Sequence, residues 1–275
     1  DLWVIEADES DRSLMQYRPD WAVITNASVD HFGYDETVEL FRKFTRQVRV
    51  GVVSAFDNPS FFDGFDPKLS AAGSVFRYRD VDFSVGLPGR HNAEDALHAV
   101  VLCERRGVDR PRIAEGLAGF RGIHRRLERV GEAHGVAVID DDGHNPAKIR
   151  AAWLTLAPHH PRIVGVWRPH GYKPLAVMMD ELVAMWREVC RPADRLIVLP
   201  VYDAGGTANR SVHSGLLVDR LKAAGLLAEG VEDPASVPAL AASRTRGGDV
   251  VLVMGARDPG LPALARKILA AIRGE

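Results

Sequence analysis

The 275 residues are enough for one large or two ordinary domains, and 46% hydrophobic with 26% charged residues is an ordinary globular mix. A formal net charge of −2 argues against a nucleic-acid or acidic-membrane partner held by bulk charge, and no apolar run is long enough to suggest a transmembrane helix. The two cysteines, Cys103 and Cys190, sit in apolar helix-like stretches without CxxC spacing, which fits a reducing cytoplasm and a role as small buried hydrophobes.

Residues 3–7 and 21–25 are short apolar runs ending in polar residues, the pattern of buried strands. The chain starts directly on the first of these, so it is expected to begin in the middle of a fold. Val38, Leu40, Phe41 and Phe44 mark one face of a helix over 36–47, and 48–55 returns to strand. Alternation over 74–87 predicts a β-hairpin or meander. A helix is expected over 92–106, with Ala96, Leu97, Val100, Val101 and Cys103 on its apolar side, and another over 111–120.

From there strands alternate with helices. Strands are expected at 136–139, 163–167, 196–201, 231–233 and 250–255. Helices are expected at 146–156, 176–189, 212–224, 235–242 and 262–273. This alternation predicts βαβ units on a parallel sheet. The expected fold is therefore α/β, with residues 1–122 as the remainder of one α/β domain and 123–275 as a doubly wound, Rossmann-like domain. Ligands of such sheets sit at the carboxyl ends of the strands. Polar clusters fall there: Asp140-Asp141-Asp142-Gly143-His144, Arg168-Pro169-His170, Tyr202-Asp203-Ala204-Gly205-Gly206 and Gly255-Ala256-Arg257-Asp258.

Four further segments could carry chemistry. Glu6-Ala7-Asp8-Glu9-Ser10-Asp11 packs four carboxylates into six residues, suited to a hard divalent cation or to a solvated acidic turn. Thr25-Asn26-Ala27-Ser28-Val29-Asp30-His31 ends in a histidine that is either a metal ligand or a satisfied surface group. Gly89-Arg90-His91-Asn92 opens a helix and suits contact with a nucleotide, or a plain N-cap by Asn92. His124-Arg125-Arg126-Leu127-Glu128 lies at the domain junction, where arginines clamp phosphate or form a salt bridge.

The order EADESD, TNxxxDH, GRHN, a G-x-x-RR segment, DDxGHxP and PH-x-Y resembles the Mur ligase family across essentially the whole chain, most closely its alanine-adding subgroup. Such enzymes phosphorylate a carboxylate with ATP, and an amine then displaces phosphate from the acyl phosphate through a tetrahedral intermediate. The resemblance implies ATP and Mg²⁺ (or Mn²⁺) as cofactors. It implies UDP-N-acetylmuramate and a small amino acid, L-alanine by expectation, as substrates, and peptidoglycan precursor synthesis in the cytoplasm as the setting. Glu6 would ligate one metal and His31 a second, near the acyl phosphate. His91 and Asn92 would lie by the adenine, Arg126 would reach the ribose or phosphates, and Asp141 would bond to the closed nucleotide site. His144 and His170, with Asn145 and Lys173, would line the amino-acid pocket, and His31, Arg126 and His144 would serve catalysis. No nucleic acid and no membrane is implied.

Three departures from the pattern bear on these expectations. The phosphate loop G-x-x-G-K-[ST] does not occur in the 275 residues, and neither does the UDP-sugar domain. The loop supplies backbone N–H groups and a lysine to the phosphates. This chain by itself is therefore expected to lack ligase activity, with a missing N-terminal segment or a partner chain completing it. In the amino-acid segments, Asp142, Asn145, Gly171 and Pro174 replace an aromatic residue, a histidine and two arginines of the family pattern, leaving Lys173 as a point charge for the substrate carboxylate. The alternative reading is a non-catalytic nucleotide- or precursor-binding subunit of a split ligase. A dinucleotide-dependent oxidoreductase is the weakest reading, because no G-x-G-x-x-G follows a strand.

Overall fold

The computed structural model describes residues 2–7, 9, 11–27, 32–56, 58, 60–203, 205 and 210–275. The chain divides into two compact units, Asp1–Phe120 and Arg121–Glu275.

In the first unit, β1 (Trp21–Ile24) and β2 (Gly51–Ser54) pair in parallel, connected by α1 (Tyr34–Thr45). The pairing places Trp21 opposite Gly51, where a Cβ would lie 2.7 Å from the indole, so the glycine makes room for the ring. The expected meander is a three-stranded antiparallel sheet of β3 (Lys68–Ser70), β4 (Gly73–Tyr78) and β5 (Val81–Val85). Helix α2 (Arg90–Arg105) buries Ala93, Ala96, Leu97 and Val100 against Val53, Phe65, Phe76 and Phe83, and α3 (Arg110–Ala118) adds Ile113. Asp109 caps α3 by accepting from Arg112 N.

Residues 3–7 do not form the expected strand. They lie in no ladder, with Trp3 83% and Val4 89% exposed. An apolar run becomes a strand only when a neighbour satisfies its backbone groups, and none of the described residues pairs with it.

The second unit is a six-stranded sheet in the order β10-β9-β8-β11-β7-β6. Its strands are β6 (Glu128–Ala133), β7 (Val136–Asp141), β8 (Ile163–Trp167), β9 (Arg195–Val198), β10 (Ala228–Gly230) and β11 (Val250–Met254). All pairings are parallel except β6 with β7. The helices are α4 (Pro146–Leu156), α5 (Tyr172–Val189), α6 (Ser214–Ala223), α7 (Val237–Arg244) and α8 (Leu261–Arg273). Alternate residues of the strands feed two cores, as the pleat requires. Ile139, Ile163, Trp167, Leu196 and Leu252 pack with α4, α5 and α6. Val138, Val164, Ile197, Val251 and Val253 pack with α7 and α8. The expected α/β architecture with a parallel sheet covered on both faces is therefore what the chain adopts.

Three local expectations are corrected. Edge strand β6 escaped the sequence pattern because its hairpin carries a register shift between Arg129 and Gly131 that interrupts the alternation. Gly131 also lets α8 approach, since a Cβ there would meet Leu269 at 2.5 Å. The strand expected at 231–233 lies at Ala228–Gly230, where it pairs with Leu196–Val198. Helix α5 starts at Tyr172 rather than 176, because Pro174 falls in its first turn, where a missing N–H costs no helical bond.

Candidate functional site

In the first unit the expected nucleotide residues open α2. Gly89 adopts φ 99° and is the residue before the helix, so Arg90 starts it and Asn92 is its third residue rather than its cap. Asn92 Nδ2 donates to Pro88 O at 2.7 Å, leaving the carbonyl end of the amide to accept from a ligand. His91 is exposed. Glu6 is exposed on the unpaired N-terminal run, and His31 lies outside the described residues. Among the described residues no three His, Cys, Asp or Glu side chains converge on one point. Glu6 by itself does not make a cation site.

The second unit concentrates its polar groups at the carboxyl ends of β7, β11 and β8, the three central parallel strands. Asp141, Met254 and Trp167 lie side by side in register, so the segments that follow them emerge together. Burial there is deep: Asp140 is 1% exposed. Arg125 answers it, with Nε 3.4 Å from Asp140 Oδ2, while its Nη2 donates to Asp141 O at 3.4 Å and to Gly255 O. Arg125 therefore ties β7 to β11. Desolvation nevertheless dominates, and the Asp140 carboxyl is pushed up to about 6 despite Arg125. Asp141 turns inward, accepting from Leu127 N at 2.9 Å and Gly143 N at 2.8 Å. One oxygen thus holds the segment leading into β6 and the other the loop that follows β7. Its carboxyl is also raised by burial, against those two hydrogen bonds.

The loop held in this way presents His144. Its Nδ1 lies 2.7 Å from Asp142 O, which as a carbonyl can only accept, so Nδ1 is the donor of this hydrogen bond. Asp142 Oδ2 is 3.5 Å from the same nitrogen. Burial pushes the Asp142 carboxyl up, but His144, Arg126 and Arg125 outweigh it and hold it below the usual range. The His144 ring meets His170 edge to face, with centroids 5.0 Å apart. Burial first, and then the charges of His144 and Arg257, depress His170 to about 4, so it is neutral at pH 7. Its Nδ1 is buried without a hydrogen-bond partner among the described residues. With Nδ1 turned to the Asp142 carbonyl, Nε2 is the His144 nitrogen left to face a substrate amine, the placement a general base requires.

The structure thus brings together His144 and His170, with Asp141 holding the loop from which His144 projects. Asn145 caps α4, accepting from Lys148 N at 2.9 Å, and Lys173 is exposed on the first turn of α5. Arg126 is exposed, whereas its neighbour Arg125 is committed to the strand ends. Sequence reading named Arg125 only within the junction segment, and Arg168 and Asp258 only in separate strand-end clusters; it missed the Arg125–Asp140 pairing and the Arg168–Asp258 pair, 2.6 Å apart, because each partner is distant in sequence. Their position directly after β8 and β11 was the available signal.

Residues 125–257 match the family described as Mur ligase, glutamate ligase domain. The chain is 32% identical over 297 residues to the UDP-N-acetylmuramate–L-alanine ligase of Rhizobium meliloti (strain 1021), covering 92% of this chain and 62% of that protein. It is 33% identical over 312 residues to the ligase of the same name from Mycolicibacterium gilvum (strain PYR-GCK), covering 98% and 64%. It thus spans less than two thirds of either relative. The UDP-N-acetylmuramate-alanine ligase of Thermotoga maritima superposes with a TM-score of 0.74 at 23% identity, over 97% of this chain and 63% of that one. The MurF ligase of Thermotoga maritima, crystallised with ADP, superposes with a TM-score of 0.63 at 16% identity, over 94% and 62%. At these identities the two structures speak to the fold. Residues 125–257 thus form a C-terminal domain of the Mur ligase family, and the chain is similar to ligases of that family over nearly all its length.

Proposed function

We propose that this chain is part of an ATP-dependent ligase that joins the carboxylate of UDP-N-acetylmuramate to the amine of a small amino acid, L-alanine by its relatives' names. The observation that supports it most is the His144–His170 pair at the carboxyl ends of the central strands, in a chain alike throughout to enzymes of that name. Both partners of the first step are anions, which ATP chemistry must neutralise and align. His91 and Asn92 would hold the adenine, and Arg126 would reach the ribose or phosphates. ATP supplies the phosphoryl group that activates the carboxylate. Glu6 and His31 are proposed as ligands of Mg²⁺; the described residues form no complete cation site, and no step is drawn through the metal. In the second step His144 Nε2 takes the proton of the attacking amine, while His170, kept neutral, avoids repelling the ammonium on arrival. The nucleotide-sugar and ATP assign the reaction to the cytoplasm.

The test is amino-acid-dependent phosphate release with ATP and UDP-N-acetylmuramate by the full-length gene product, with the ligated product weighed by mass spectrometry. Wild type forms product, and His144→Ala loses 10²–10⁴-fold in kcat, the usual contribution of a general base. Absence of amino-acid-dependent phosphate release from wild type overturns the proposal. The 275 residues alone are expected to release no ADP.

A further inference from the structure

The incoming amino acid brings a carboxylate as well as an amine, and the pocket around His144 and His170 must find a cation for it. Arginine is suited to this, since its planar fork matches a carboxylate. Arg125 is consumed by Asp140, Asp141 O and Gly255 O. Arg168 is consumed by Asp258 Oδ2 at 2.6 Å and Pro200 O at 3.2 Å, and stacks on Tyr202. Arg257 has no hydrogen bond, ion pair or ring contact with any described residue, and it is exposed.

Its placement is built by the fold. Arg257 follows β11, the strand between β7 and β8, so it emerges between the segments bearing His144 and His170. Gly255 runs so close to β8 that a Cβ would sit 2.8 Å from Arg168 O. On the far side Asp258 is held by Arg168 and caps Gly260 N at 2.8 Å. Between these two clamps Arg257 adopts φ 65°, a left-handed conformation that costs a residue with a Cβ. Its charge is felt at His170, where it helps keep the ring neutral.

We propose that Arg257 binds the carboxylate of the incoming amino acid and so sets the enzyme's selection for α-amino acids over amines and amides. This rests on the ligase reading above. Steady-state kinetics of the full-length protein test it, with L-alanine and L-alaninamide as competing acceptors. Arg257→Gln is expected to raise KM for L-alanine about 10- to 100-fold, the range for a lost charged hydrogen-bond pair, with kcat and the KM for ATP little changed. Wild-type preference for alanine over the amide collapses in the variant. Arg257→Gly shows the same KM defect while melting no lower than wild type, because glycine accepts the left-handed backbone freely; a merely structural arginine would move Tm instead. Arg257→Lys retains part of the preference. If wild type ligates alanine and Arg257→Gln leaves both KM and the preference unchanged, or if Lys173→Gln shifts them and Arg257→Gln does not, the assignment falls alone. If wild type ligates no amino acid, the ligase reading fails and takes this assignment with it.

Discussion

Replacing Arg125 by methionine tests the strand-end network most sharply. Asp140 is 1% exposed and its carboxyl already stands at about 6 with Arg125 in place, so the folded state holds its proton more tightly than an unfolded chain at 3.8. Such a group favours folding most at low pH, and that contribution is lost as pH rises from about 4 through about 6. Removing Arg125 takes away the one guanidinium drawing the carboxyl down, so the window widens upward and the variant's deficit must grow with pH. At pH 4.5 Asp140 is protonated in both proteins. The variant then loses chiefly the hydrogen bonds to Asp141 O and Gly255 O, about 2 kcal/mol at about 1 kcal/mol each. At pH 7.5 it must bury an unpaired carboxylate or hold a proton against the solution, about 3–5 kcal/mol. For a protein of this size that is a fall in Tm of roughly 10 °C. Urea unfolding at the two pH values, read by tryptophan fluorescence, measures the difference, since Trp153, Trp167 and Trp186 are all buried in the second unit. Equal deficits at both pH values would show that Asp140 is not the group Arg125 serves, and would refute the reasoning.

Other outcomes follow from the same geometry. Asp141→Ala leaves the N–H groups of Leu127 and Gly143 without their acceptor and should cost about 2–4 kcal/mol, with faster hydrogen exchange at those two amides. Imidazole NMR should find His170 neutral at pH 6 and titrating near 4; because the folded ring resists protonation, its contribution to stability is present above about 6.5 and disappears as pH falls through about 4. A His170 titration near 6.5 would mean the pocket is wetter than the structure has it. Gly165→Ala would set a methyl 2.6 Å from the Trp153 ring and should destabilise by about 1–3 kcal/mol. Combining it with Trp153→Leu should cost less than the two single changes together, a coupling that a double-mutant cycle in urea reads directly.

The sequence by itself determined the alternation of strands and helices after residue 123. Strands β8 and β11 are continuous apolar runs, and α4, α7 and α8 carry a proline in their first turn, with Asn145 capping α4. It also indicated where polar residues would gather, because those placed right after parallel buried strands emerge together at one edge of the sheet. Tertiary structure decided what one-dimensional pattern cannot carry. Residues 3–7 have the composition of a strand, yet whether they form one depends on a neighbour. Strand β6 shows little alternation of its own and exists because β7 pairs with it. Of the adjacent arginines 125 and 126, identical in type, only the first reaches Asp140 and Gly255, the latter 130 positions away. The same holds for Arg257. In the sequence it is one charge in a loop, and only the order of strands, with β11 inserted between β7 and β8, sets it between the segments that bear His144 and His170.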